Sequence, residues 1–209
     1  MRLHENQPDP KIIGKSPTYV VFHPTVPVFY CTNEIAEGGF VRAIKFDPRT
    51  FKCSLLSKET SNGGAPCHLM MSNDGKWLFS ATYVGQSTLM YPVNKDGSLG
   101  KLCQQFVHED VPSTHWRQGA AHAHSTYVFE RPNRPSCVLV PDLGTDRLYV
   151  YDFDGSKAPS KALTRGKNQE YCSVPIHSGP RHVWPDKAGN TIYMMNEMSH
   201  TVSVFKFSK

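Results

Sequence analysis

"APCHLMMSNDGKWLFSATY" (residues 65–83) and "GPRHVWPDKAGNTIYMMNE" (residues 179–197) follow one pattern. Each runs small residue, Pro, variable residue, His, apolar run, polar turn with Asp and Gly, second apolar run. Only the later copy ends in a carboxylate, Glu197. A chain that repeats a pattern at this length is building one structural unit more than once.

Working outward, the residue before the first apolar run recurs at Pro17, Pro66, Ala123 and Pro180, spaced 49, 57 and 57 residues apart. After each anchor comes a short apolar segment: "TYVVF", "CHLMM", "HSTYVF", "RHVW". A turn and a second segment follow: "VFYCTNE", "WLFSATY", "CVLVPDL", "TIYMMNE". A third segment alternates with period two: "FVRAIKF", "STLMYPV", "DRLYVYDF", "TVSVFKF". "KCSLLSKE" and "KLCQQFVHE" are weaker fourth segments. Val, Tyr, Phe and Thr between Gly, Pro, Asn and Asp punctuation is the mark of strands and turns. The longer spacing of the later copies comes from "DVPSTHWRQGA" and "GSKAPSKALTRGKNQE", polar loops expected outside the packed sheets.

Four strands in about fifty residues make a propeller blade. A sandwich has no reason to reuse one turn at one offset. The expected fold is therefore all-β, a β-propeller in one domain over residues 1–209, with blades near 17–60, 66–110, 123–165 and 180–209. That is three blades and most of a fourth. The opening "MRLHENQPDPKIIG" reads as the outer strand of another blade. Both ends cutting through blades imply a piece of a larger ring, rather than a closed four-bladed one, with apolar blade faces exposed.

Composition narrows the function. Twenty-three basic and 18 acidic residues leave a net charge of +5, scattered along the chain. Lys161, Arg165 and Lys167 come nearest to a cluster and read as a solvated loop, so nucleic acid is not an expected partner. No apolar run reaches the roughly 20 residues of a membrane span. Six cysteines form no C-x-x-C pair, and several sit in apolar runs, which fits a reducing compartment and a cytoplasmic protein. "HAHS" places His122 and His124 on one side of a strand, with His108, Glu109, Asp110 and His115 upstream. No ligand spacing surrounds them, so neither metal nor cofactor is expected.

"GAPCHLMMSNDGKWLFSATY", "HAHSTYVFERPNRPSCVLVPDLGTDRLYVYDF" and "SGPRHVWPDKAGNTIYMMNEMSHTVSVFKF" resemble the seven-bladed propeller lactonases, over about residues 15–209. That group includes the propeller-type 6-phosphogluconolactonase and the fungal carboxy-muconate lactonising enzyme. The resemblance implies a ring of seven blades and a metal-free site. It also implies active-site roles for His124, Arg181 and Glu197. A further family Arg would fall beyond Lys209.

The residues themselves point the same way. The positions after the anchors, Thr18, Cys67, His124 and Arg181, are equivalent and should face the central channel. Glu197 ends the strand paired with that of Arg181; Glu34 and Tyr83 are its counterparts in the first two copies. Lactone chemistry needs a proton acceptor, which imidazole supplies near neutrality. It also needs a cation for a carboxylate, phosphate or oxyanion, which guanidinium supplies in two bonds. Glu197 orients the imidazole, serves as base, or fixes the Arg. The ligand is expected to be a small anionic lactone or carboxylate. Two enzyme readings share these parts: hydrolysis of a sugar-acid lactone such as 6-phosphogluconolactone, and cyclisation of a carboxymuconate. A non-catalytic scaffold for a protein partner is a third. His68 and His182, equivalent in two copies, read as packing or blade-linking residues, and His122 as structural. Asp142 and Asp146 read as turn-holding residues. Trp77 and Trp184 read as interblade core.

Overall fold

In the computed structural model, residues 9–109, 111, 113–130 and 135–206 are described. The first sheet is antiparallel in the order β1 (Val20–Phe22), β2 (Val28–Asn33), β3 (Phe40–Phe46), β4 (Cys53–Thr60). The second is β5 (Pro66–Met71), β6 (Trp77–Thr82), β7 (Ser87–Pro92), β8 (Gln104–Val107). The third comprises β9 (Tyr127–Phe129), β10 (Ser136–Asp142) and β11 (Arg147–Phe153). Its outer edge is shared by β12 (Leu163–Arg165) and β13 (Tyr171–Ser173), both paired with β11. The fourth holds β14 (Pro180–Pro185), β15 (Thr191–Asn196) and β16 (Thr201–Lys206).

The same backbone bond recurs in every sheet and accounts for the repeat. The N–H groups of Glu34, Tyr83, Leu143 and Glu197 donate to the carbonyls of Ser16, Ala65, His122 and Gly179, at 2.7–2.9 Å. Each bond ties the end of a second strand to the residue before the anchor. Ser16, Ala65 and Gly179 have φ of 48°, 53° and 65°. Small residues meet that left-handed turn at least cost, and the Pro after it leads into extended chain. The turn after the second strand likewise ends in a left-handed residue in three sheets: Gln86, Asp146 and His200.

Successive sheets pack face to face in chain order. Val28, Tyr30 and Val41 of the first meet Leu69, Leu78 and Leu89 of the second. Trp77, Phe79 and Met90 on its other face meet Val138, Tyr149 and Tyr151 of the third. Leu139 and Leu148 then meet Val183, Ile192 and Met194 of the fourth. Alternate residues of a strand serve opposite faces, so a sheet packed on both sides reads as an unbroken apolar run. β6, "WLFSAT", is buried at all positions for that reason.

Several expectations are corrected. Pro10–Ile13 form one helical turn capped by the Asp9 side chain, not an outer strand; the preceding residues lie outside those described. Proline at the first helical position, followed by Gly14 at φ 85°, favours a turn over a strand. The loop after β11 is not wholly outside the sheets. It supplies β12, and Ala162 and Leu163 are buried because the Gln104 amide bonds both the N–H and the carbonyl of Leu163. The third sheet also reaches Ser173, beyond residue 165. Trp77 is core, but Trp184 is 66% exposed, with Tyr193, Met195, Val202 and Val204 beside it on the outer face of the fourth sheet. No described strand packs over that face. Among the described residues no helix is long and apolar enough to cross a membrane.

Candidate active site

Thr18, Cys67, His124 and Arg181, the four positions after the anchors, line one pocket of about 290 Å³ with Tyr19, Glu34, Tyr83 and His182. Local backbone geometry explains why. In β5 and β14 the pairing register shifts across Cys67 and Arg181: Pro66 and His68 pair with Thr82 and Ala81, and Pro180 and His182 with Asn196 and Met195. Cys67 and Arg181 are therefore the extra residues of bulges, which turn a side chain out of the sheet's alternation. Position in the repeat thus becomes position on the pocket wall.

Arg181 Nη1 donates to Glu197 Oε2 at 2.5 Å, and Arg117 Nη2 lies 2.8 Å from Glu197 Oε1. Burial alone would raise the Glu197 carboxyl. Bonds from Arg117 and Arg181 outweigh it and hold Glu197 below the ordinary carboxylate range. A carboxylate clasped by two guanidinium groups is a poor proton acceptor. Its two oxygens each pair with one of the two cations. Each guanidinium carries five N–H donors, more than Glu197 uses, and Arg181 lines the pocket.

Sequence reading placed Arg117 in a polar loop and missed it. The loop is held by specific bonds. His115 Nδ1 accepts the Arg117 N–H at 3.2 Å, capping the single 3-10 turn Trp116–Gln118. Buried Gln118 donates to the Leu143 carbonyl at 2.8 Å. One signal was legible: an Arg-Gln pair three residues before "HAH", in one of the two loops that lengthen the later copies.

His124 is partly buried at the pocket. Its Nδ1 is buried and has no hydrogen-bond partner among the described residues. Burial pushes its pKa down to about 4, with the Arg181 and His182 charges adding to the shift. The imidazole is neutral at neutral pH. Tyr83 stands edge-on to His124, with centroids 5.4 Å apart, and stacks on His122 at 4.1 Å and 7°. His122 is structural: Nδ1 bonds the Tyr83 carbonyl at 2.9 Å. His68 links blades as expected, with Nδ1 accepting from the Thr126 N–H at 3.3 Å, and burial lowers its pKa to about 3. His182 has its ring centroid 5.8 Å from that of His124 and lines the pocket.

Asp142 exceeds its expected turn role. Oδ1 accepts the N–H groups of His122, Gly144 and Thr145 at 2.9–3.0 Å. Oδ2 meets His108 Nδ1 at 2.6 Å, and both side chains are fully buried. His108 Nε2 completes the network with Thr88 and Tyr151, each at 3.0 Å. Asp146 does not hold its own turn. It accepts the N–H groups of His177 and Gly179 at 2.7 and 2.8 Å, fixing the backbone that leads into Arg181. His108 is thus committed to structure, and Asp110 lies outside the described residues. No group of three or more His, Cys, Asp or Glu suited to a metal occurs among the described residues.

The sequence and the fold were compared with those of known proteins. The sequence profile described as "Lactonase, 7-bladed beta-propeller" matches residues 5–209. An uncharacterized protein of Staphylococcus aureus is 31% identical over 183 residues, 87% of this chain and 50% of that protein. One from Staphylococcus epidermidis is 32% identical over 148 residues, 70% of this chain and 40% of that protein. Among solved structures, a candidate 6-phosphogluconolactonase of Bacteroides fragilis has a TM-score of 0.83 at 28% identity, over 92% of this chain and 54% of that one. A periplasmic gluconolactonase of Pseudomonas aeruginosa has a TM-score of 0.82 at 29% identity, with the same coverage of each chain. The chain spans about half the length of these relatives.

Proposed function

Because the chain belongs to the seven-bladed β-propeller lactonase family, we propose that it serves hydrolysis of a sugar-acid lactone, with 6-phosphogluconolactone as the leading substrate. The observation that carries this reading is that Arg181 and the neutral imidazole of His124 line one pocket, with Arg181 held, together with Arg117, on the Glu197 carboxylate. The cationic side suits an acid or phosphate group on the substrate and the oxyanion formed at the carbonyl. In the proposed step His124 takes a proton from water as its oxygen bonds the lactone carbonyl carbon. The ring C–O bond then breaks, and its oxygen takes up a proton. Lactone and water yield the hydroxy acid. Arg181 and Arg117 balance the charge, and Glu197 positions them. His124, Arg181 and Glu197 are thus given separate roles.

In this reading the partner is a small anionic lactone, with neither nucleic acid nor membrane involved. The thiols of Cys31, Cys53, Cys67, Cys103 and Cys172 support a reducing, cytoplasmic setting. The test is proton release from 6-phosphogluconolactone and from gluconolactone, above the spontaneous rate, by the protein carrying all seven blades of the family ring. Acceleration by several orders of magnitude, lost in Arg181→Ala, supports the proposal. Turnover of a carboxymuconate instead, or of none of these, overturns it.

A further inference from the structure

Glu34 and Glu197 occupy equivalent places, each with its N–H bonded to the residue before its sheet's anchor. Their carboxylates have different surroundings. Glu197 is taken by two guanidinium groups. The Glu34 side chain makes no ion pair or hydrogen bond among the described residues, yet it lines the pocket that Arg181 and His124 line. The pocket therefore has a cationic side and, on the wall built by the first sheet, an unused carboxylate beside the Thr18 hydroxyl.

A carboxylate oxygen accepts hydrogen bonds, and the partly exposed Glu34 can exchange water for the donors of a ligand. A ligand with an acid group at one end and hydroxyls along its chain satisfies both sides. A polycarboxylate without hydroxyls brings like charge to Glu34 and nothing to donate. We propose that Glu34 is a specificity-determining residue, selecting polyhydroxylated acids and their lactones over hydroxyl-free carboxylates. The proposal rests on the pocket assigned above as the lactone site. Sites that must bond a ligand hydroxyl reject analogues lacking it more strongly than apolar pockets reject a size change.

The test is binding to the 209-residue chain, by calorimetry at fixed ionic strength, of gluconate, hexanoate and adipate. Hexanoate has the chain length and single charge of gluconate without its hydroxyls; adipate adds a second charge. Wild type should prefer gluconate to either by roughly tenfold or more. Glu34→Ala should lose roughly tenfold for gluconate while adipate binds more tightly, so that the preference collapses. Glu34→Gln, which keeps shape and one acceptor, should lie between. Equal binding of gluconate and hexanoate by wild type, no binding at all, or a preference unmoved in folded Glu34→Ala would each overturn the proposal. Failure of the lactonase reading looks different: gluconate preferred and Glu34-dependent, but no lactone hydrolysed.

Discussion

Arg117 Nη2 lies 2.8 Å from Glu197 Oε1, bringing the loop between β8 and β9 onto the end of β15. Arg181 occupies the other carboxylate oxygen. If the pair presents guanidinium donors to a ligand, Arg117→Ala should lower kcat/KM for the lactone about 10- to 100-fold, the weight of a charge-assisted hydrogen bond. Both partners of the Arg117–Glu197 pair are about a quarter exposed, so unfolding free energy should change by less than about 1 kcal/mol. Parallel kinetics and denaturant titration separate the two. Equal losses in both would make Arg117 a structural residue.

Acid should weaken the fold through two buried imidazoles. Burial lowers His124 to about 4 and His68 to about 3. In the unfolded chain each returns to the ordinary histidine value of about 6.5. Between these limits the unfolded state binds more protons, so stability is full above about pH 6.5 and falls as pH drops toward the folded values. By pH 5 each should have removed about 2 kcal/mol. Thermal midpoints between pH 7.5 and 5 measure the slope. His68→Asn, whose side-chain oxygen can replace Nδ1 toward Thr126, should flatten it. An identical slope in that variant would assign the acid sensitivity elsewhere. Hydrolysis by a base at about 4 should keep its acid limb near that pH.

Asp142 accepts four hydrogen bonds while fully buried. Asp142→Ala strands three backbone N–H groups and the His108 ring. The expected cost is about 3–5 kcal/mol. Asp142→Asn keeps one oxygen for the backbone donors and should cost less. Urea titrations of the two variants decide it, and equal effects would mean that the charge toward His108 matters more than the turn.

The outer face of the fourth sheet presents Trp184, Met195, Val202 and Val204, each more than half exposed. Contiguous apolar surface of this kind promotes association. The 209-residue chain should form oligomers at micromolar concentration by light scattering. Trp184→Lys with Met195→Lys should return it toward monomer without lowering its thermal midpoint by more than a few degrees. Unchanged association would place the contact on another face.

Alternation, turn chemistry and the recurring anchor were enough, read along the chain, to find the blades and to put His124, Arg181 and Glu197 at related positions. Those are local properties: a left-handed small residue before Pro, and strands that alternate or stay apolar, leave their mark within a few residues. Only the tertiary structure decided that Arg117, 80 residues before Glu197, completes its clasp, and that equivalent Glu34 has no such partner. It also withdrew His108 and Asp142 into a buried network. No local pattern encodes these outcomes, because each depends on which sheet packs against which and on what a distant loop delivers to the pocket rim.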